Sequence, residues 1–260
     1  AVSANDIKKL NEILGPAGKE IIYSGDDNLD ARARAEFTKK ANEKMTIRKD
    51  GNIEIIEIGN DNWAFPVPIA KYQDKFFFDT ITGLEEILNR RIGKNEICTI
   101  NICRQIVDAQ KAFAELKLAR GQKEYFKKFR ALNTSSSDAL FRTDGTPVVD
   151  TALNYNIVFA SNECLAFERM HPLHGYFYNI ITSQGADAPG GAKNYISNDA
   201  KMTDGFAVIA YPAKYGLTGI KTFIVSKEGI VFEKDLGKNT SEIASQINAY
   251  NPDDTWSPVR

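Results

Sequence analysis

Two histidines, two adjacent arginines and three cysteines are the residues of this chain whose types and spacing invite a chemical reading. His171 and His174 stand three apart around Pro172 and are the only imidazoles. Such a pair can hold a metal or act as a general base near pH 7. Pro172 blocks the regular helix that would converge the rings, and only Glu163 and Glu168 stand nearby as a third ligand. Hydrogen bonding by His174 at the entrance of a strand is the stronger reading. The segment Asn89–Glu96 (NRRIGKNE) sets Arg90 and Arg91 beside a core helix. Their guanidinium groups can take a carboxylate or phosphate through paired hydrogen bonds. Structurally, Glu86 and Arg90 make an i, i+4 pair, and a second arginine could clamp the two halves of the chain through a buried carboxylate such as Asp79 or Asp108. The structural role outweighs the ligand role.

The remaining candidates are weaker. Gly185-Ala-Asp-Ala-Pro-Gly-Gly191 lacks the lysine and following helix of a phosphate-binding P-loop, and a loop between strands needs glycines regardless. No GxSxG is present, and Ser135–Ser137 lie in loop composition. Cys98 and Cys103 fall on apolar faces of a predicted helix, where a thiol is inert packing, and they point in different directions. Any disulfide therefore joins Cys164 to one of them. Without a CxxC pair, neither a zinc site nor another metal or cofactor is expected. Trp63, Phe65, Tyr72, Phe76, Phe77 and Phe78 cluster in the first half. They could line an apolar pocket, although such residues more often fill the core of a small sheet.

The elements that must position these residues follow from periodicity and turn signals. Helices are predicted at residues 5–14, capped by Asn5 and ended by Gly15-Pro16, and at 29–44, where Ala31, Ala35 and Phe37 give a weak inner face. Strands follow at 45–49 and 52–58 across the Asp50-Gly51 turn. A proline-bearing edge strand is predicted at 63–72 and a short aromatic one at 75–79. Residues 84–91 form a helix, and Asn95 caps a longer one to about Leu118. Ile97, Ile100, Cys103, Val107 and Ala114 make one apolar row on it, and Cys98, Ile102, Ile106, Ala109 and Phe113 a second, so this spine helix is expected to be buried on more than one side. Residues 125–132 continue in helix, and 133–170 have little regular pattern. Four strands come next, at 176–183, 206–211, 221–225 and 230–233, and Asn239 with Glu242 resembles a capping box opening a last helix.

These elements give an α+β class: a small helix-plus-meander unit over residues 1–82, then a spine helix packed on a four-stranded antiparallel sheet over 83–260, with a junction near 80–96. The 260 residues hold 33 basic against 34 acidic side chains, a balance that gives no reason to expect nucleic acid or an anionic membrane as partner. No apolar run reaches the ~18 residues of a membrane-spanning helix. The opening Ala1-Val-Ser-Ala-Asn5 has neither a basic start nor an apolar signal core.

Several segments, taken in order, resemble the bacterial domain-of-unknown-function 2950 family. They include Ile13-Leu-Gly-Pro16, Trp63-Ala-Phe-Pro-Val-Pro68, the run from Phe78 to Gly93, Val107-Asp-Ala-Gln110 and His174-Gly-Tyr-Phe-Tyr178. Ala188-Pro-Gly-Gly-Ala192, Gly205 to Ala213 and Thr222 to Gly237 complete the set. The resemblance implies an exported protein, periplasmic or secreted, with a signal segment upstream and no assigned activity. The latter half is also similar to the globular head of type IV pilins and pseudopilins, without the apolar stem through which those proteins polymerise. The expectation is a non-catalytic binding or interaction protein with a protein or small-molecule partner. The rival is small-molecule binding or hydrolysis, in a cavity of the first half or at the junction, with Arg90, Arg91 and His174 as ligand-binding residues and Trp63, Asp79, Asp108 and Cys103 as structural ones.

Overall fold

A computed structural model describes residues 1–130, 138–142 and 172–260, and shows an α+β fold. The chain divides into two compact units, Ala1–Arg90 and Arg91–Arg260.

The first unit sets three helices, α1 (Ile7–Leu14), α2 (Lys19–Ile22) and α3 (Asp27–Glu43), with a sheet of β1 (Met45–Asp50), β2 (Ile53–Ile58), β3 (Trp63–Ala64), β4 (Ile69–Tyr72) and β5 (Lys75–Phe78). Asp6, not Asn5, caps α1, its carboxylate accepting from the Lys9 amide at 2.9 Å. Asn5 has φ 51 and instead accepts the Arg34 Nε hydrogen. The Asp50-Gly51 hairpin forms as predicted, with Gly51 at φ 57. The single strand expected over 63–72 is two strands, because Pro66 and Pro68 have no amide to continue a ladder. β3 pairs with one end of β2 and β4 with the other, and β4 lies inside the sheet between β2 and β5. The inner face of α3 also differs from expectation. Ala31 and Ala35 are exposed, while Asp30 is buried and Arg34 and Phe37 are half-buried.

Between 80 and 118 there is one uninterrupted helix, α4 (Thr80–Leu118), where two were expected. Gly93 does not break it, since an interior glycine costs only ~1 kcal/mol against alanine. Gly83 has a positive reason for its identity: a Cβ there would stand 2.7 Å from Val67 Cγ2.

In the second unit α4 buries a single stripe of Thr99, Ile102, Cys103, Ile106, Val107, Ala109, Gln110, Phe113 and Lys117. Asn101, Arg104, Asp108, Lys111 and Glu115, also at helical spacing, are exposed, and Ile97 is 63% exposed. Burial on more than one side is thus overturned: the cysteine-bearing rows merge into one face. The sheet is an antiparallel meander of β8 (Tyr176–Ile181), β11 (Ala207–Pro212), β12 (Lys221–Ser226) and β13 (Val231–Asp235). A fifth, edge strand, β14 (Ser257–Pro258), was not anticipated; its proline suits an edge. Every residue of β11 is buried, so both faces of that strand are covered, and α5 (Thr240–Gln246) packs against it. Asn239 stands at the start of α5 without a side-chain cap, so the capping box does not form.

Of the helix expected at 125–132, residues 125–130 are instead extended, and 131–132 lie outside the described residues. β6 (Lys128–Arg130) pairs in parallel with β7 (Ala139–Phe141), which lies inside a region expected to be irregular. The cause is long-range. Buried Gln110 on α4 donates to Phe126 O at 2.9 Å and accepts from Phe126 N at 3.0 Å, holding that residue's backbone as a neighbouring strand would. Lys117 and Glu124 make a buried ion pair at 2.9 Å, with the Lys117 ammonium 5.2 Å from the Phe113 ring centre. Two short hairpin strands, β9 (Ser183–Gln184) and β10 (Lys193–Asn194), flank the glycine-rich loop.

Gln110→Leu leaves one buried N–H and one buried C=O without partners. A loss of about 2–4 kcal/mol is expected, read as a lower urea midpoint at unchanged slope.

Candidate functional site

The turn after α1 determines where a cavity can open in the first unit. Gly15 (φ 69) and Pro16 end α1 and send the chain back through α2, so Leu10 and Leu14 come to face Ile21 and Ile22. α3 adds Ala33 and Phe37, β2 adds Ile58, and the chain through β3 adds Trp63, Phe65 and Pro66. Together they line a half-open cavity of about 490 Å3 with a predominantly apolar wall. That falls within the ~300–1,000 Å3 usual for small-molecule sites. Phe65 anchors the aromatic side, meeting Phe37 edge-on at 5.4 Å and Phe78 edge-on at 6.2 Å. Trp63 and Phe65 are thus the members of the aromatic cluster that reach the cavity, whereas Tyr72, Phe76 and Phe77 are exposed.

Four charged residues also reach the wall, namely Asp30, Arg34, Glu36 and Lys40. Asp30 accepts the Ser24 amide on both oxygens at 3.1 Å, pinning the loop before α3. Arg34 donates to Asn5 Oδ1 at 2.6 Å and to Ile22 O at 3.3 Å. Lys40 donates to Asp61 at 2.7 Å, which raises the ammonium pKa and lowers that of the carboxyl. Three of the four are therefore engaged in holding the helices and turns. The lining contains no serine, cysteine or histidine. Its chemistry is that of enclosure.

Residues 1–259 match the family described as a protein of unknown function (DUF2950). The chain belongs to that family. No curated protein and no solved structure matches it.

In this DUF2950 chain the residues singled out by sequence do not form one site within either unit. Arg90 is held inside the first unit: Nε donates to Glu86 at 2.7 Å, Nη1 donates to Ala64 O at 2.7 Å, and the guanidinium lies 5.7 Å from the Trp63 ring centre. Arg91 is exposed. Asp79 is no clamp for an arginine; it accepts from the Thr82 amide at 3.2 Å and hydroxyl at 2.9 Å, capping the first turn of α4. Asp108 is exposed, so it is not a buried carboxylate either. His174 is exposed in a turn at φ 47, while His171 and Cys164 lie outside the described residues. Cys98 and Cys103 carry free thiols. Among the described residues no three His, Cys, Asp or Glu side chains converge as a metal site, and no helix is long and apolar enough to cross a membrane.

Asp30 and Arg34 escaped the sequence reading because α3 was assigned an alanine face. The available signal was the i, i+4, i+7 spacing of Asp30, Arg34 and Phe37. In the second unit, Glu96 was likewise missed. Its Oε1 accepts from the amides of Ile220 and Lys221, both at 2.9 Å, and Tyr176 donates to Lys221 O at 2.9 Å. Tyr176 packs so closely on Gly219 that a Cβ there would overlap its hydroxyl.

Because its pair with Glu86 is exposed, Arg90→Ala should cost only about 1 kcal/mol, and Arg91→Ala less than about 0.5 kcal/mol, measured by denaturant unfolding. Alkaline stability gives a second check. Burial pushes the Cys103 thiol up to about 12 from an ordinary value of 9.0, and pushes the Tyr178 and Tyr176 phenols above 10.0. The folded chain then keeps protons that the unfolded chain releases. Stability is complete below about pH 9 and falls as pH rises toward about 12. Melting temperature should decline above about pH 9, less steeply in Cys103→Ala.

Proposed function

We propose that this chain is an exported, non-catalytic binding protein whose first unit encloses an apolar small molecule. The cavity between the three helices and the sheet carries the reading: it has the volume and wall of a ligand site, and most of its charged groups are committed to structure. Export follows from the resemblance of the sequence segments to the bacterial family. The helix-then-meander order of the second unit supports its likeness to a pilin head, and with it a surface for protein contacts in the cell envelope.

The neutral fluorescent probe N-phenyl-1-naphthylamine tests the cavity. Saturable binding with a dissociation constant of roughly micromolar order is expected. Ala33→Trp, which places an indole at the cavity wall from α3, should weaken it by about tenfold or more, while Lys49→Ala on β1 leaves it unchanged. Probe binding that is absent, or indifferent to Ala33→Trp, rejects the site. Recovery of the native protein from the cytosolic fraction of its host rejects export.

A further inference from the structure

The second unit holds a cavity of opposite character. It lies where the glycine-rich loop between β9 and β10 faces the turn after β12, and encloses about 230 Å3. At ~30 Å3 per water molecule that is room for a ligand of about ten non-hydrogen atoms or fewer, well below drug size. About half its wall is polar: Gln184, Lys193, Tyr195, Lys227, Glu228 and Tyr250 all reach it.

The scaffold of this wall is fixed by hydrogen bonds. Tyr195 donates its phenol hydrogen to Gln184 Oε1 at 2.8 Å. Gln184 Nε2 in turn donates to Pro189 O at 2.8 Å and to Gly191 O at 2.6 Å, which holds the loop as one side of the cavity. Gly190 (φ 88) and Gly191 (φ 74) both require the left-handed backbone there. The loop glycines thus shape a cavity wall, although the segment is no P-loop.

Three exposed charges rim the cavity. The Lys193 ammonium makes no hydrogen bond or ion pair among the described residues, and Lys227 pairs with Glu228 at 3.8 Å, a distance long enough for a ligand to exchange with it. Burial, Tyr250 and Glu228 push the Tyr195 phenol up to about 12, and burial with Glu228 raises Tyr250 too. Both phenols therefore stay protonated at neutral pH; the Tyr195 hydrogen is already given to Gln184, so its oxygen remains to accept. The Glu228 carboxylate is close enough for both to feel it.

We propose that this cavity binds a small zwitterion of the free amino acid class, its carboxylate answered by Lys193 and Lys227 and its ammonium by Glu228. A plain anion meets the repulsion of Glu228 and a plain cation that of the two lysines. Only a molecule carrying both charges a few ångströms apart satisfies both within so small a space. The phenols of Tyr195 and Tyr250 supply hydrogen bonds to its remaining polar atoms. This site is independent of the apolar cavity.

Glycine, L-alanine and L-serine, titrated into the full chain and followed by the tyrosine ring resonances in NMR, test this. Acetate and methylamine serve as the two half-ligands. At least one amino acid should bind saturably, about tenfold or more tighter than either half-ligand. Glu228→Gln should lower amino acid affinity by about tenfold while strengthening acetate, and Lys193→Ala should weaken both. These side chains are exposed, and an unchanged melting temperature confirms that the variants fold. Ala33→Trp leaves the amino acid titration untouched. The proposal is overturned if none of the three amino acids binds, if acetate binds as tightly as they do, or if Glu228→Gln changes neither affinity.

Discussion

Helix α4 can lie against the second unit's sheet because the fully buried polar residues of its stripe find partners, with the buried Gln105 Oε1 as the exception on that helix. Its stripe contains Thr99, Gln110 and Lys117 among apolar side chains, and Glu96 stands just before them. Each is answered: Thr99 by the Tyr178 hydroxyl at 3.2 Å, Gln110 by the backbone of Phe126, Lys117 by Glu124, and Glu96 by two amides at the start of β12. A buried group without a partner costs about 1–3 kcal/mol, whereas apolar contact alone is non-directional. The apolar stripe supplies the attraction, and these bonds select the one register in which the helix sits.

The two cavities inherit different chemistry from the elements around them. In the first unit, Asp30, Arg34 and Lys40 tie α3 to the neighbouring loops and turns. That spends the polar groups and leaves an aliphatic and aromatic interior. In the second, the sheet and its cover consume the apolar residues. The loops beyond β9 and β12 keep charges at the surface, Lys193 without a partner among the described residues and Lys227 paired with Glu228.

Local patterns were legible in the sequence wherever a short-range signal decided the structure. The Asp50-Gly51 hairpin, the Gly15-Pro16 stop and the four main strands of the second sheet all follow from turn chemistry and alternation. Long-range partners could not be read in that way. Residues 125–130 have helical composition, yet Gln110, sixteen residues from Phe126, draws them into extended chain. Gly93 looks like a break because isolated glycine signals one, yet the surrounding helix absorbs its modest cost. Arg90 was correctly paired with Glu86, since that spacing is local, but Asp79 and Asp108 were misjudged because burial of a carboxylate depends on what else packs there. The aromatic run split the same way. Trp63 and Phe65 turn to the cavity, while Tyr72, Phe76 and Phe77 remain in solvent.

The proposed binding roles fit the distribution of two reactive groups. Cys103 is the most chemically capable side chain on α4, but burial holds it protonated and out of reach of any ligand. His174 is accessible yet stands on an exposed turn, and among the described residues no carboxylate is bonded to orient its ring. Catalysis needs a nucleophile or base held within hydrogen-bond reach of a bound substrate. The described imidazole and the buried thiol lie apart from both cavities' linings, while the second lining includes the Ser226 hydroxyl, the Glu228 carboxylate and two lysines. What the cavities do contain is apolar surface in one case and opposed charges in the other. Those are the means of selecting a molecule by transfer from water and by charge complementarity.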